Sequence, residues 1–373
     1  LPHPDPCLPQ AGLNRSFMPA RLPHRVLVVA FSSQPPLAEA VAAAFGRRGV
    51  STRIFHSWPC NTLFDRLIIH PVNHWAHNLR LVSKGVDLFQ GHPKSHKEHR
   101  SRELLRLFRE FQPDLVLLTG VQRFTPEVLP ELQRSSPVFF WFTESEKRFG
   151  EIETELTHCH RAYFISTAAL EEARRRGFER VRLLQHCLDK SQFYPLDLPK
   201  IYDWCFVGQW HERRQQYVEG LAKVSRNFVL YGTRWRKRNW RQPALWRRIR
   251  GRGIWGEPLT RLYNQTRVVI NISVWGAEHQ GGAGVNMRLL EVPACGACLL
   301  SDYSRDAALL LTPEQEFVSA ASLPEMQERL RDLLADDQKR RRIAQAGYQR
   351  AVRSRSYDDL VEHLCRDWAA ADW

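Results

Sequence analysis

Two successive series of short apolar runs, alternating with amphipathic stretches, constrain this chain more than any other feature. The first opens with Arg25-Val26-Leu27-Val28-Val29-Ala30, a continuous run of the kind buried on both faces of a parallel sheet. Residues 35–48 follow, with Leu37, Val41, Ala44 and Phe45 at helical spacing, and stop at Gly49, a helix-ending residue. Residues 50–55 read as the next strand. This strand–helix–strand opening predicts a doubly wound α/β sheet. The alternation continues through a helix at 102–111, strands at 114–118, 137–142 and 162–165, a helix at 167–176 and a strand at 181–184.

A second series repeats the pattern. Strands are expected at 204–207, 228–231, 268–272 and 297–301, and helices at 215–223, 259–265 and 286–294, before terminal helices at 324–334, 338–353 and 357–368. The division that follows is a disordered leader over 1–22, a Rossmann-like domain over 23–185, a linker over 186–200, a second Rossmann-like domain over 201–355 and a terminal helix over 356–373. A chain of 373 residues suits two such domains. Tandem units of this type leave a cleft between them, with ligands at the carboxyl ends of the strands.

Charge narrows the partners. The chain carries 54 Lys and Arg, most of them Arg, against 40 Asp and Glu, a net charge of +14. That excess favours anions, and Arg suits bidentate phosphate contacts. The eight Cys are scattered, several in apolar runs, and read as reduced, buried thiols of a cytoplasmic protein. Cys295 and Cys298 form a C-x-x-C without the second pair that a zinc site needs. No apolar run approaches the roughly 18 residues of a membrane span. The stretch before Met18 lacks a signal-peptide core, so Met18 is expected to be the natural start, or the stretch a disordered leader.

The chemistry concentrates between Gly281 and Glu291. Gly281-Gly282-Ala283-Gly284 precedes a helix, where glycines let backbone approach a ligand and helical N–H groups face an anion. Arg288, one turn into that helix, adds fixed charge, and Glu291 lies on the same face. A carboxylate there can accept from both ribose hydroxyls.

The second half resembles the C-terminal domain of GT-B glycosyltransferases, specifically the CgeB-like, family-one-like group. The likeness rests on Phe206-Val207-Gly208, on Tyr231-Gly232 with Trp235, on residues 262–272, and above all on Asn286-Met287-Arg288-Leu289-Leu290-Glu291 with Ala294-Cys295-Gly296. It covers about residues 160–365; the first 160 match in fold pattern only. The resemblance implies a GT-B fold of two Rossmann-like domains facing across a cleft, with the C-terminal helices returning toward the N-terminal domain. It implies a metal-independent hexosyltransferase that needs no cofactor and takes a UDP- or GDP-sugar as co-substrate, with the sugar passing to a hydroxyl of a glycan, lipid-linked or protein acceptor.

The donor site is then expected from Gly208, Arg213, Trp255, Gly282, Gly284, Asn286, Arg288 and Glu291. Arg213 stands where such enzymes hold a phosphate-binding base, and Trp255 where they read the nucleotide base. Many retaining members carry two glutamates, and the partner position here is Ala283, so Glu278 is the expected substitute, with His279 and Gln280 as alternatives. Glu144, in a strand-end loop of the first domain, is the first choice of catalytic base for an inverting reaction, and Glu146 the second. The other strand-end loops expected to face the cleft are residues 32–34 and 120–123.

Two further features stand outside this frame. His70, His74 and His77 are echoed by His92, His96 and His99, a spacing that could ligate zinc, although GT-B chemistry implies no metal. Residues 234–252 hold nine Arg or Lys and three Trp with no acid. They read as a basic insertion whose Trp pack on the core, or as a docking surface for an anionic membrane on the inner face of the plasma membrane. The competing readings are a non-catalytic protein that kept the fold, a nucleic-acid-modifying glucosyltransferase or nucleic-acid binder, and a sugar-nucleotide epimerase.

Overall fold

The computed structural model describes residues 21–31, 36–58, 60–83, 86–121, 123–144, 146–274 and 284–370. Strands β1 (Arg25–Ala30), β2 (Ser51–His56), β3 (Leu115–Thr119), β4 (Val138–Phe142), β5 (Arg161–Phe164) and β6 (Val181–Leu183) form one sheet in the order β2-β1-β3-β4-β5-β6. Strands β7 (Tyr202–Val207), β8 (Phe228–Tyr231), β9 (Ile249–Gly251), β10 (Thr266–Asn271), β11 (Cys298–Asp302) and β12 (Val318–Ala320) form a second, in the order β12-β11-β10-β7-β8-β9. Every pairing is parallel. Helices cover both faces, which is why β3 (LVLLT) and β4 (VFFWF) are apolar throughout and wholly buried.

Strand order fixes where each sheet can bind. The order reverses between β1 and β3 in the first sheet and between β7 and β10 in the second. At such a switch point neighbouring loops leave in opposite directions and open a crevice at the carboxyl edge. Gly208 follows β7, and Ile272 and Ser273 follow β10, so both flank the second crevice.

Several elements differ from expectation. The helix expected at 102–111 spans His96–Phe111, because Ser95 accepts from Glu98 N and caps it six residues earlier. The helix expected at 286–294 begins only at Arg288, so Arg288 is its first residue rather than one turn in. The leader was expected to reach residue 22. Arg21 lies over the Trp368 ring and Leu22 packs on the core, so the folded part begins earlier.

The last helix, Tyr357–Ala369, returns to the first domain. Ser356 and Asp359 form its capping box, and Tyr163 Oη donates to Asp367 at 2.6 Å. Arg47 pairs with Asp358, and Leu188 N donates to Arg355 O where the two interdomain crossings run side by side. A buried carboxylate joins the domains from the opposite end. Asp306, fully buried, accepts from Thr167 N at 2.9 Å, Thr167 Oγ1 at 2.5 Å and Gly284 N at 3.0 Å.

The helix carrying Arg288 and Glu291 is pressed down by its neighbour Asp337–Ala351 through Gly347. A Cβ there would lie 2.4 Å from Glu316 O and 3.3 Å from Pro293 Cβ. Gly347→Ala is therefore expected to cost about 2 kcal/mol by overpacking, measured by urea unfolding; unchanged stability would contradict this packing.

Candidate functional site

The site is assembled at the carboxyl edge of β7, β8 and β10. Gly208 and Gly232 bring two chain crossings into contact: a Cβ on Gly232 would lie 1.8 Å from Gly208 O, and Gly232 has φ +155°. Trp235, fully buried, donates its Nε1 to the same Gly208 oxygen at 2.7 Å. Here glycine is required by close approach of backbone to backbone.

Three guanidinium groups gather beside this crossing. Arg288 Nη1 donates to Asn271 Oδ1 at 2.7 Å, which also accepts from Asn286 Nδ2 at 2.7 Å. Arg214 Nε donates to Ile272 O and its Nη1 to Gln209 O, both at 2.9 Å. Both groups lie against the Phe206 ring, at 5.5 Å for Arg214 and 5.8 Å for Arg288. Among the described residues neither has a carboxylate within ion-pair distance. Arg213 differs. It pairs with Asp302 at 2.8 Å, donates to Ser273 O and lies over the Tyr217 ring.

The charge balance is decisive. Two carboxylates feel this cluster: Asp302, already occupied by Arg213 Nη1 and by the Ser273 N–H and hydroxyl, and Glu291, which makes no ion pair with it among the described residues. Arg214 is buried, and its pKa falls to about 9, first through desolvation and then through Arg288. Both cations are held by carbonyl and amide oxygens rather than by an ion-paired carboxylate, an arrangement that can accept an anion.

Glu291 lies on the other side of Arg288. It is buried, and desolvation raises its pKa to about 7, with Arg288 opposing the rise. It lines a cavity of about 50 Å³ with Asp189, Gln192, Trp255, Met287 and Tyr357, closed on the first-domain side by Pro36 and Leu37. Glu291 and Trp255, far apart in sequence, therefore share one cavity.

Other expected residues fare differently. Gly284 N is occupied by Asp306, and Asn286 Nδ2 by Asn271, so in this conformation neither donor is free for an anion. The helix after them has only seven residues. The anion site thus rests on side-chain charge more than on helix N–H groups. Glu144, after β4, is paired with Arg148 at 2.8 Å. Glu278, His279, Gln280, Gly282, Ala283, residues 32–34, Gln122 and Ser145 lie outside the described residues. The histidines do not converge. His77 contacts Val86 O, His74 contacts Asn78 and His96 contacts Asp65; among the described residues no group of three or more His, Cys, Asp or Glu could hold a metal ion. Of the three Trp in 234–252, Trp235 is core, whereas Trp240 and Trp246 are exposed beneath Arg241 and Arg236.

The residue that sequence reasoning missed is Arg214. A signal for it exists: Arg214, Tyr217, Val218 and Leu221 fall at helical spacing and form the buried stripe of the helix Glu212–Leu221.

Comparisons with known proteins bear on the fold and on the C-terminal half. Residues 213–366 match the family model described as glycosyl transferase-like. No functionally curated protein matches the chain by sequence. Among solved structures, sucrose-phosphate synthase from Thermosynechococcus elongatus is similar over 94% of this chain and 100% of its own, with TM-score 0.68 and 14% identity. Anabaena HepE, in complex with UDP and glucose, is similar over 93% and 100%, with TM-score 0.63 and 10% identity. AviGT4, a glycosyltransferase involved in avilamycin A biosynthesis, is similar over 94% and 100%, with TM-score 0.58 and 14% identity. The fold is GT-B, and residues 213–366 carry the glycosyltransferase family match.

The raised Glu291 pKa gives a signed prediction. The folded state holds this proton up to about pH 7 and the unfolded chain only to about 4.5, so stability falls as pH rises between those values. Above that window Glu291→Gln should be more stable than wild type by about 3 kcal/mol, and the gain should vanish below it. Urea unfolding of both proteins across this range reads the difference; a pH-independent gap would refute the assignment.

Proposed function

We propose that this chain, with the fold and C-terminal family match of glycosyltransferases, transfers a hexose-like sugar from a nucleotide-diphosphate donor to a hydroxyl acceptor. The observation that carries the reading is the pair of guanidiniums, Arg214 and Arg288, gathered without a carboxylate at the β7–β10 switch point. A diphosphate supplies the missing negative charge. As the glycosidic bond breaks, charge builds on the leaving diphosphate, and fixed cations stabilise that state more than the ground state. The protein's own cations fill the role a divalent metal plays elsewhere, which supports a metal-independent reaction.

Glu291 accepts the ribose hydroxyls. Their hydrogen bonds favour the carboxylate and draw down a pKa that burial has raised. Trp255 lies in the same cavity, beside the position for the base of a UDP- or GDP-sugar. That cavity, at about 50 Å³, is far below the roughly 300 Å³ at which ligand pockets begin. Donor entry therefore requires the first-domain wall, Pro36 and Leu37, or Trp255 to move, and reclosure excludes water. Gly208 keeps the approach open, and Arg213 holds the β7 and β10 loops together through Asp302. Gly282, Gly284 and Asn286 offer donors to the phosphates once the loop rearranges. Glu278 contacts the sugar, and Glu144, released from Arg148, is the base if the reaction inverts.

The reading places the enzyme in the cytoplasm, peripheral on the inner face of the plasma membrane, with a glycan, lipid-linked or protein acceptor. Support comes from the free thiols of the described cysteines and from the +14 charge. No helix among the described residues is long and apolar enough to cross a membrane.

Nucleotide release from a panel of UDP- and GDP-sugars tests the proposal. Wild type should turn over at least one donor. Arg288→Ala should lower kcat/KM about 100-fold, and Glu291→Ala should mainly raise the donor KM. No binding to any nucleotide sugar would leave the fold as a non-catalytic scaffold. An isomeric nucleotide sugar as product would make it an epimerase, and salt-sensitive gel shifts would redirect it to nucleic acid.

A further inference from the structure

Exposed large apolar side chains are concentrated in one stretch of the first domain. Between residues 58 and 88 lie Trp58, Leu63, Leu67, Ile68, Val72, Trp75, Leu79, Leu81, Val86 and Leu88, all exposed. Scattered surface leucines need no explanation, but a contiguous apolar face does. Four of them, Leu67, Ile68, Val72 and Trp75, belong to one helix, a π-helical turn over Asp65–Ile69 continuing as an α-helix over His70–Asn78, and Leu63 and Leu79 flank it. Pro71 offers no N–H, and the turn before it widens so that His70 N reaches Asp65 O.

This helix is mounted with its apolar face outward. Its inner face is anchored largely by polar contacts. Asp65, buried, accepts from His96 N at 2.9 Å, Asn73 Nδ2 donates to Asp87 at 2.7 Å, and Ile69 and Ala76 are the buried apolar positions. Leu63, Leu67, Trp75 and Leu79 recur at multiples of four residues, with exposed Pro71 at the intervening position, and Leu67 is 66% and Trp75 60% exposed. A helix turned inside out in this way buries its apolar face only against something else.

The charges around it name the partner. Arg66, Arg80 and Lys94 are exposed, and among the described residues none has a carboxylate partner. The only acids between residues 58 and 95 are Asp65 and Asp87, both committed to the internal contacts above. An apolar row with Trp, rimmed by unpaired cations and presenting no outward carboxylate, complements the surface of an anionic bilayer: acyl chains meet Leu and Trp, and headgroups meet Arg and Lys. We propose that the outward face of residues 63–81 docks this protein on an anionic lipid surface.

The position adds to this. Phe31 follows β1 and Trp58 follows β2, and their rings lie 5.4 Å apart at the carboxyl edge of the first sheet, the edge that faces the cleft. Exposed aromatic side chains therefore also stand at this edge, on the same domain as the helix. The proposal rests on the peripheral location given above but not on sugar transfer. It also moves apolar anchoring away from residues 234–252, where Trp235 is core and the cations are left to supply charge.

Co-sedimentation with vesicles, without nucleotide sugar, tests it. The full chain should pellet with vesicles of equal parts phosphatidylcholine and phosphatidylglycerol, and far less with phosphatidylcholine alone. The double variant Leu67→Glu/Trp75→Glu, changed only at exposed positions and checked by thermal melting, should lose about tenfold or more in binding. Trp75→Phe should retain it. Binding unchanged in the double variant, or no binding by wild type to either vesicle, overturns the proposal. So does a wild-type dimer that the double variant makes monomeric without vesicle binding, since the face would then pair with a second copy. Donor turnover by the double variant on a soluble acceptor is read separately and should stay at the wild-type level, so failure of docking and failure of catalysis are distinguishable.

Discussion

Two guanidinium groups share the Phe206 ring without a carboxylate to balance them, and the rest of the second domain is arranged to hold them there. Left to themselves such groups would repel and seek water. Each is instead fixed by neutral oxygens: Ile272 O and Gln209 O for Arg214, and Asn271 Oδ1 for Arg288. Asn271 is fixed in turn by donating to Ser301 Oγ at 2.9 Å. Neutral acceptors hold a cation in place without cancelling its charge, so the field remains available to an anion. Asp302 favours the charged form of Arg214 from beyond ion-pair distance, while its hydrogen bonds go to Arg213 and Ser273.

The same economy governs the domain junction. Asp306 accepts from the first helix turn after β5 and from the Gly284 N–H, so it couples the closed arrangement to the loop leading into Arg288. Glu291 and Trp255 meet Pro36 and Leu37 across a cavity too small for a nucleoside. Opening the domains would free both the cavity and the Gly284 donor together.

Charge and apolar surface are divided between the domains. The cations of 234–252 surround a core Trp235 whose indole holds Gly208, so that segment is first a support for the donor site. The exposed apolar face belongs to the first domain, beside the edge where an acceptor would lie.

Much of this was legible in the sequence because backbone periodicity is local. Apolar runs, helical spacing and glycine at strand ends determined two parallel α/β units and put Gly208, Arg288 and Glu291 at strand–loop–helix junctions. Arg213 was expected from its place after the Gly208 loop, although Arg214 falls at helical spacing with Tyr217, Val218 and Leu221; adjacent helix residues diverge by about 100°, and the packing puts Arg214 on the buried face. Nor could the sequence show that the Gly284 donor is taken by Asp306, or that Glu291 and Trp255 share a cavity, since both depend on contacts between elements far apart in the chain. The helix of residues 65–78 shows the limit most clearly. Its apolar spacing reads the same whether that face points in or out, and the tertiary structure decided for outward by anchoring Asp65 and Asn73 beneath it.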